Sequence, residues 1–293
     1  NKFHIIHKIM HISSLEESIK LDEKRFNNLR PNTEKKIIWA DKSSIKTKIS
    51  LVFIHGFSAS RFELNPVIEN VAKELGANIF FTRLTGHGQD GQSLADATLK
   101  DWIKDTDEAI KIGAILGDSI VLIGSSTGCS LIHTILEQQQ NISSVIYVSP
   151  NFGTKSFRGQ LLRIPGIKNL LPIIFGKEIS FSSQNPDHKK CWTLSYPPEA
   201  LLAIKDSVML ARNCNHSKIK VPILFWFSDE DKVVSAKATR RIMSKMGGNI
   251  STHNPPLSNE DDPSRHGILG DILSPSQTPN GVSKIVDWLK INT

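Results

Sequence analysis

Val121-Leu122-Ile123-Gly124-Ser125-Ser126-Thr127-Gly128-Cys129 joins an apolar strand pattern to a Gly-x-Ser-x-Gly turn, and the turn to a helical pattern. A serine hydroxyl is a poor nucleophile until it stands clear of the backbone, beside a base and near donors for an oxyanion. A sharp strand-to-helix turn achieves this if the residues two before and two after the serine are small, as Gly124 and Gly128 are. The five letters alone recur by chance in loops. Their setting makes the difference here, because residues 119–123 read as a buried strand and residues 130–136 as a helix.

The same alternation extends in both directions. Ile49-Ser50-Leu51-Val52-Phe53-Ile54 is the first core strand and runs into His55-Gly56-Phe57-Ser58. A helix is expected over about 61–75, with Leu64, Val67, Ile68, Val71, Ala72 and Leu75 on one stripe and Gly76 closing it. A strand at 78–82, a loop Arg83-Leu84-Thr85-Gly86-His87-Gly88 and a helix over about 98–116 lead back to the central turn. Further buried strands follow at 145–150 and 221–227, then a helix near 236–246, a strand near 249–252, a polar loop over 254–265 and a last helix near 279–291. This order predicts an α/β fold, with a mostly parallel sheet covered by helices on both faces.

Two segments stand outside the alternation. Residues 1 to about 30 look like an arm with a short helix, and Lys36-Ile37-Ile38-Trp39 like an edge strand. The roughly seventy residues between the strands at 145–150 and 221–227 are too many for one crossover helix. They carry Pro165, Pro172, Pro186, Pro197 and Pro198 among Phe152, Phe157, Phe175, Phe181 and Trp192, and read as a mainly helical cap whose return helix spans 201–211. The expected division is therefore 1–48 arm and edge strand, 49–150 first part of the core, 151–215 cap, and 216–293 second part of the core.

Composition narrows the possible functions. At 293 residues and 39% hydrophobic, the chain can bury the core of one large domain with an insertion. The net charge of +7 favours anionic membrane surfaces or acidic substrates. Nucleic acid is a poor reading, because the basic residues are scattered and not interleaved with aromatics. Cys129, Cys191 and Cys214 have no metal-ligand or redox spacing, and neither a metal nor a cofactor is expected. The chain opens on Asn1 rather than Met and reads as a processed form, which leaves open whether a signal or anchor preceded it. The apolar stretch at 3–12 is too short and too interrupted by Lys and His to span a bilayer, so the chain as written reads as soluble, with its location open between cytoplasm and membrane surface.

Ligands of parallel sheets sit at the carboxyl ends of the strands, so the loops there carry the chemistry. After the first core strand, Gly56 permits close backbone approach, and the Phe57 amide is placed as one oxyanion donor; the Thr127 amide, just after Ser126, is the other. Ser228-Asp229-Glu230-Asp231-Lys232-Val233-Val234 offers three carboxylates. An acid at a loop apex followed by a small apolar pair fits Asp231 best, with Asp229 second. His266 follows the last strand through a polar loop and completes the chain order Ser, Asp, His. His253 competes with it but lies very close to the strand end. His55 and His87 flank glycines and read as loop-shaping, while Asn151, just after the strand at 145–150, is not ionisable.

Together, His55-Gly56-Phe57, Leu84-Thr85-Gly86-His87-Gly88, Gly124-Ser125-Ser126-Thr127-Gly128, Asp231-Lys232-Val233-Val234 and His266-Gly267-Ile268-Leu269 resemble the α/β-hydrolase superfamily. Within it they are most similar to bacterial serine hydrolases grouped with lysophospholipases, monoacylglycerol lipases and carboxylesterases. The resemblance runs from about residue 49 to 289. It implies hydrolysis of a small-molecule or lipid-like ester, such as a lysophospholipid or monoacylglycerol, by Ser126, His266 and Asp231 through an acyl-enzyme. A serine aminopeptidase or thioesterase, or a non-catalytic binder of small ligands, are the alternatives. An aminopeptidase needs an acid near the cap to hold a substrate amine, for which Glu178, Asp187, Glu199 and Asp206 are candidates. Oligomeric state is not legible.

Overall fold

In a computed structural model, the described residues are 11–138, 141–162, 164 and 166–293. The apolar opening stretch falls mostly outside them, as does Pro165. In chain order the elements are α1 (Ile12–Glu23), β1 (Lys36–Ile38), β2 (Thr47–Ile54), α2 (Val67–Leu75), β3 (Asn78–Phe81), α3 (Gly91–Asp96), α4 (Leu99–Leu116), β4 (Gly117–Ser125), α5 (Thr127–Ile135) and β5 (Ile142–Val148). Then come α6 (Phe157–Leu161), α7 (Leu171–Phe175), β6 (Ile179–Ser180), α8 (Pro186–Cys191), β7 (Ser195–Tyr196), α9 (Leu201–Arg212), β8 (Ile223–Trp226), α10 (Ala236–Met243), β9 (Ile250–His253) and α11 (Thr278–Asn292).

Seven strands form one sheet in the order β1-β3-β2-β4-β5-β8-β9, all parallel except β1, which pairs antiparallel with β3 at the edge. Both faces are covered because the central strands are apolar on both. In β4, Ile120 and Leu122 face Trp102, Ile110, Leu131 and Ile132, while Val121 and Ile123 join Val67, Ile68, Val71, Ile285 and Leu289 on the other side. Strand order reverses between β2 and β4, since β3 lies on one side of β2 and the later strands on the other. That switch point opens a crevice at the strand ends. The pairing of Ile54 with Gly124 brings the loops after both strands out beside each other.

One expectation needs correction, and two elements go beyond the expectations. The helix expected from 61 begins at Val67, because a residue before proline is pushed out of the α region and Asn65-Pro66 ends any continuous helix there. Residues 61–66 form turns instead. A short helix, α3, forms at 91–96 where none was expected, its start capped by the Asp90 side chain accepting from the Ser93 amide. Between β5 and β8 the chain builds helical pieces and also a two-stranded antiparallel ribbon, β6-β7, in which Ile179 pairs with Tyr196. Two residues per strand give too little alternation to be seen in sequence.

The arm is docked on the core. Leu15 and Ile19 of α1 are buried, and the buried Glu23 carboxylate accepts from Arg83 Nε and Nη2 at 2.7 and 2.8 Å and from the Lys35 amide at 2.9 Å. Among the described residues, no helix is long and apolar enough to cross a membrane.

Candidate active site

Ser126 sits at φ 48°, ψ −110°, a left-handed conformation that non-glycine residues rarely adopt. The flanking glycines make the turn sterically possible. A Cβ on Gly124 would lie 2.9 Å from the Cys129 amide nitrogen, and one on Gly128 would collide with the Ile54 carbonyl. The Ser126 amide donates to the Val148 carbonyl at 2.9 Å, which pins the elbow to the neighbouring strand.

Two later loops converge on the serine. His266 Nε2 lies 3.0 Å from Ser126 Oγ, and His266 Nδ1 lies 2.7 Å from Asp231 Oδ2. The other Asp231 oxygen accepts from the Val233 and Val234 amides at 2.7 and 2.9 Å, so the small apolar pair after the acid serves as its backbone cradle. The Lys232 amide donates to the Ser264 carbonyl at 2.8 Å and ties the two loops together. Phe57 and Thr127, the residues expected to supply oxyanion amides, line the same cavity as Ser126. Among the described residues, neither amide is given to a turn or loop carbonyl.

The remaining candidates lie elsewhere. Asp229 is half exposed and holds a bidentate pair with Arg240, with Nη2 at 2.7 Å. His253 packs on Trp226 with ring centres 4.0 Å apart. His55 accepts from the Leu84 amide at Nε2, 3.1 Å, which leaves its proton on Nδ1 to donate to the Gly56 carbonyl at 2.8 Å. Burial pushes its pKa down to about 4, so it stays neutral and joins the loops after β2 and β3. His133 and His216 form a buried pair 2.9 Å apart. Cys129 is buried beneath the elbow, and all three cysteines are free thiols.

Two carboxylates at the site were missed from sequence. Glu63, in the turns before α2, accepts from the Gly56 amide at 2.6 Å and lines the same cavity as Ser126. Burial raises its pKa, against the opposing effect of hydrogen bonds from Gly56 and Ser125. Asp262, 2% exposed, accepts from the amides of Ser264, His266 and Gly267 at 3.1, 3.1 and 2.7 Å and from Gln184 Nε2 at 2.7 Å. It thereby fixes the His266 loop and joins it to the segment between β5 and β8. Cues did exist in the Asp-x-Ser turn at 262–264 and in the proline that frees residues 61–66 from the helix.

Burial, the largest influence on His266, disfavours its charged form. The Asp231 charge and hydrogen bond, with Glu63 and Asp262 beyond, outweigh it and hold the His266 pKa above its ordinary value. A base must be neutral, so activity dependent on His266 should rise through a pH range above that of a free imidazole. Replacing Glu63 by Gln keeps an acceptor for Gly56 and removes one charge. Glu63→Gln is therefore expected to move the acid limb of kcat/KM against pH downward; an unmoved or raised limb would contradict this account of the shift.

A cavity of about 810 Å³ opens over Ser126. Phe57, Phe175, Phe181, Trp192, Tyr196 and Leu201 form its apolar walls, most of them from the segment between β5 and β8. Among the described residues, no group of three or more His, Cys, Asp or Glu side chains is placed to hold a metal ion.

The chain is similar to several known proteins. A thermostable monoacylglycerol lipase of Bacillus sp. (strain H-257) is 24% identical over 186 residues, 64% of this chain and 72% of that protein. Among solved structures, one of the metagenome-derived lipolytic enzymes LipS and LipT superposes with a TM-score of 0.73 at 18% identity, covering 89% of this chain and 99% of that one. The monoacylglycerol lipase of Paleococcus ferrophilus gives 0.62 at 17%, over 88% and 98%. A soluble variant of monoglyceride lipase from Saccharomyces cerevisiae gives 0.62 at 11%, over 89% and 92%. At such identities these structures bear on the fold. The family model Hydrolase_4, described as Serine aminopeptidase, S33, matches residues 45–254, and the chain belongs to that family as a lipase- and esterase-like α/β hydrolase.

Proposed function

We propose that the protein hydrolyses carboxylic esters of apolar acyl chains, with Ser126 as nucleophile, His266 as general base and acid, and Asp231 holding the imidazole. The observation that carries this reading is the unbroken relay from Asp231 through His266 to Ser126 Oγ on the floor of an apolar cavity. His266 Nε2 takes the hydroxyl proton as Oγ attacks the ester carbonyl, and the oxygen that gains charge is met by the Phe57 and Thr127 amides. The tetrahedral intermediate collapses, the alcohol leaves with the proton from His266, and an acyl ester remains on Ser126. Water, deprotonated by the same imidazole, then releases the acid.

The walls favour esters over peptides. Of the four acids that could hold a substrate amine, Glu178, Asp187, Glu199 and Asp206, none lines the cavity; Asp187 pairs with Lys190 and Asp206 with Lys205. The acids that do line it, Glu63 and Asp262, are committed to backbone amides. A panel of nitrophenyl esters beside aminoacyl nitroanilides tests this. Turnover of medium-chain esters without the anilides is expected, and the reverse order would replace the reading with an aminopeptidase. The monoacylglycerol lipases among the relatives support a lipid-like ester.

We read the segment between β5 and β8 as a cap that also meets lipid surfaces. Phe157 and Ile173 are 75% and 80% exposed, with Ile164, Leu170 and Leu210 also outward. Residues 151–215 hold nine Lys and Arg against four Asp and Glu, so they carry five of the chain's seven net positive charges. An apolar face rimmed by cations suits an anionic interface. Co-sedimentation with phosphatidylglycerol vesicles is expected, weakened by high salt and by Phe157→Ser with Ile173→Ser. Absence of binding to both anionic and neutral vesicles would end this reading.

A further inference from the structure

The cavity wall over Ser126 is not uniformly apolar. Helix α9 contributes Leu201, Ile204, Lys205, Val208, Met209 and Arg212, a single stripe at helical spacing. Its first members pack with apolar neighbours, Leu201 lying against the clusters around Tyr196 and Leu171. Its third and last members, Lys205 and Arg212, are cations, with Val208 and Met209 between them. At about 1.5 Å per residue, Leu201 and Arg212 are roughly 16 Å apart along the wall. The wall therefore starts apolar at Leu201 and Ile204 and ends cationic, with Lys205 and Arg212 about 10 Å apart along the helix.

The cationic end lies on the β5 side of the nucleophile. Arg212 Nη1 is 3.7 Å from where a Cβ on Gly153 would stand, and the Asn151 amide, two residues earlier, donates to the Ser126 carbonyl at 3.1 Å. Thr154, Ser156 and Gln160 line the cavity with the same group and add hydroxyl and amide donors. Lys205 also meets Asp206 at 2.8 Å, but Asp206 is 47% exposed, and such a surface pair is worth little. A cation at a helix C-terminus is favourable in its own right, which explains Arg212 but not Lys205 two turns earlier.

We propose that this end of the cavity is a subsite for an anionic group, phosphate or carboxylate, on the alcohol side of the ester, with the acyl chain along the apolar end. The proposal rests on the ester-hydrolase reading and narrows it. Arginine matches either anion with two parallel N–H donors, lysine adds a point charge, and the apolar surroundings strengthen both. The same wall repels a substrate amine.

Binding to the Ser126→Ala protein separates this proposal from the hydrolase reading, since it needs no turnover. The probes are lauroyl glycerol, lauroyl glycerol phosphate and O-lauroyl lactate, neutral, phosphate-bearing and carboxylate-bearing, each below its micellar concentration. At least one anionic probe is expected to bind roughly tenfold to a hundredfold more tightly than the neutral one. Lys205→Met with Arg212→Met should abolish that ratio, whereas Lys205→Arg with Arg212→Lys should retain most of it, with melting temperatures reporting on the fold. Equal or weaker binding of both anionic probes, or an unchanged ratio in the double methionine variant, would overturn the subsite. Absence of ester turnover by the wild type would instead overturn the parent reading.

Discussion

Ser126→Ala is expected to lower kcat on a medium-chain nitrophenyl ester by roughly a million-fold while leaving the protein folded. On the proposed mechanism the loss is large because the hydroxyl forms the acyl-enzyme; without it, water must attack directly in a site arranged for Oγ. The residual rate, about a thousandfold to ten-thousandfold over water, would come from the Phe57 and Thr127 amides and from substrate binding. Stability should change by less than about 1 kcal/mol, because the Ser126 side chain bonds to His266 alone among the described residues and alanine keeps the Cβ that the φ of 48° already accommodates. Thermal melts of both proteins check the second half of the statement, and a variant that turns over normally would remove Ser126 from the mechanism.

Asp231→Asn should cost roughly ten-thousandfold in kcat, more than a lost hydrogen bond would suggest. One Asp231 oxygen is held by the Val233 and Val234 amides and the other faces His266 Nδ1. The new amide must keep its carbonyl on the two backbone donors, so its NH₂ turns toward Nδ1. It then donates where the carboxylate accepted, and the imidazole proton is driven to Nε2, the atom that must take the proton from Ser126. The tautomer becomes wrong for a base although the geometry is preserved. A loss of only tenfold would contradict this assignment of roles.

The parts of the site legible in the sequence are those governed by local rules. The elbow is visible because its two glycines answer a steric demand within five residues, and Asp231 could be separated from Asp229 and Glu230 because Val233-Val234 supplies the turn that cradles it. His266 followed from chain order. Glu63 was hidden because the stripe of Leu64, Val67, Ile68 and Val71 suggests a continuous helix, and only the break at Asn65-Pro66 turns its carboxylate back to Gly56. Asp262 was hidden in a polar loop whose partners, His266 and Gln184, belong to different parts of the fold. The ribbon β6-β7 was hidden by its brevity. The sheet could be read throughout because its strands are buried on both faces and therefore apolar along their length.

The cavity explains why substrate is harder to read than mechanism. Ser126, Asp231 and His266 come from loops fixed by the sheet, whereas most of the cavity wall comes from the segment between β5 and β8, whose aromatic and leucine residues fill its own small clusters as well as the wall. Composition cannot separate those two uses. The stripe on α9 separates them through Lys205 and Arg212, because neither side chain belongs in an apolar core.

The central claim is that Ser126 is a nucleophile activated by His266. Its most direct test is peptide mapping by mass spectrometry after brief labelling with a fluorophosphonate, on the wild type, Ser126→Ala and His266→Gln. A single adduct on the peptide bearing Ser126, absent from Ser126→Ala and formed far more slowly in His266→Gln, is the expected result. An adduct on another residue, or labelling of Ser126→Ala at the wild-type rate, would contradict it.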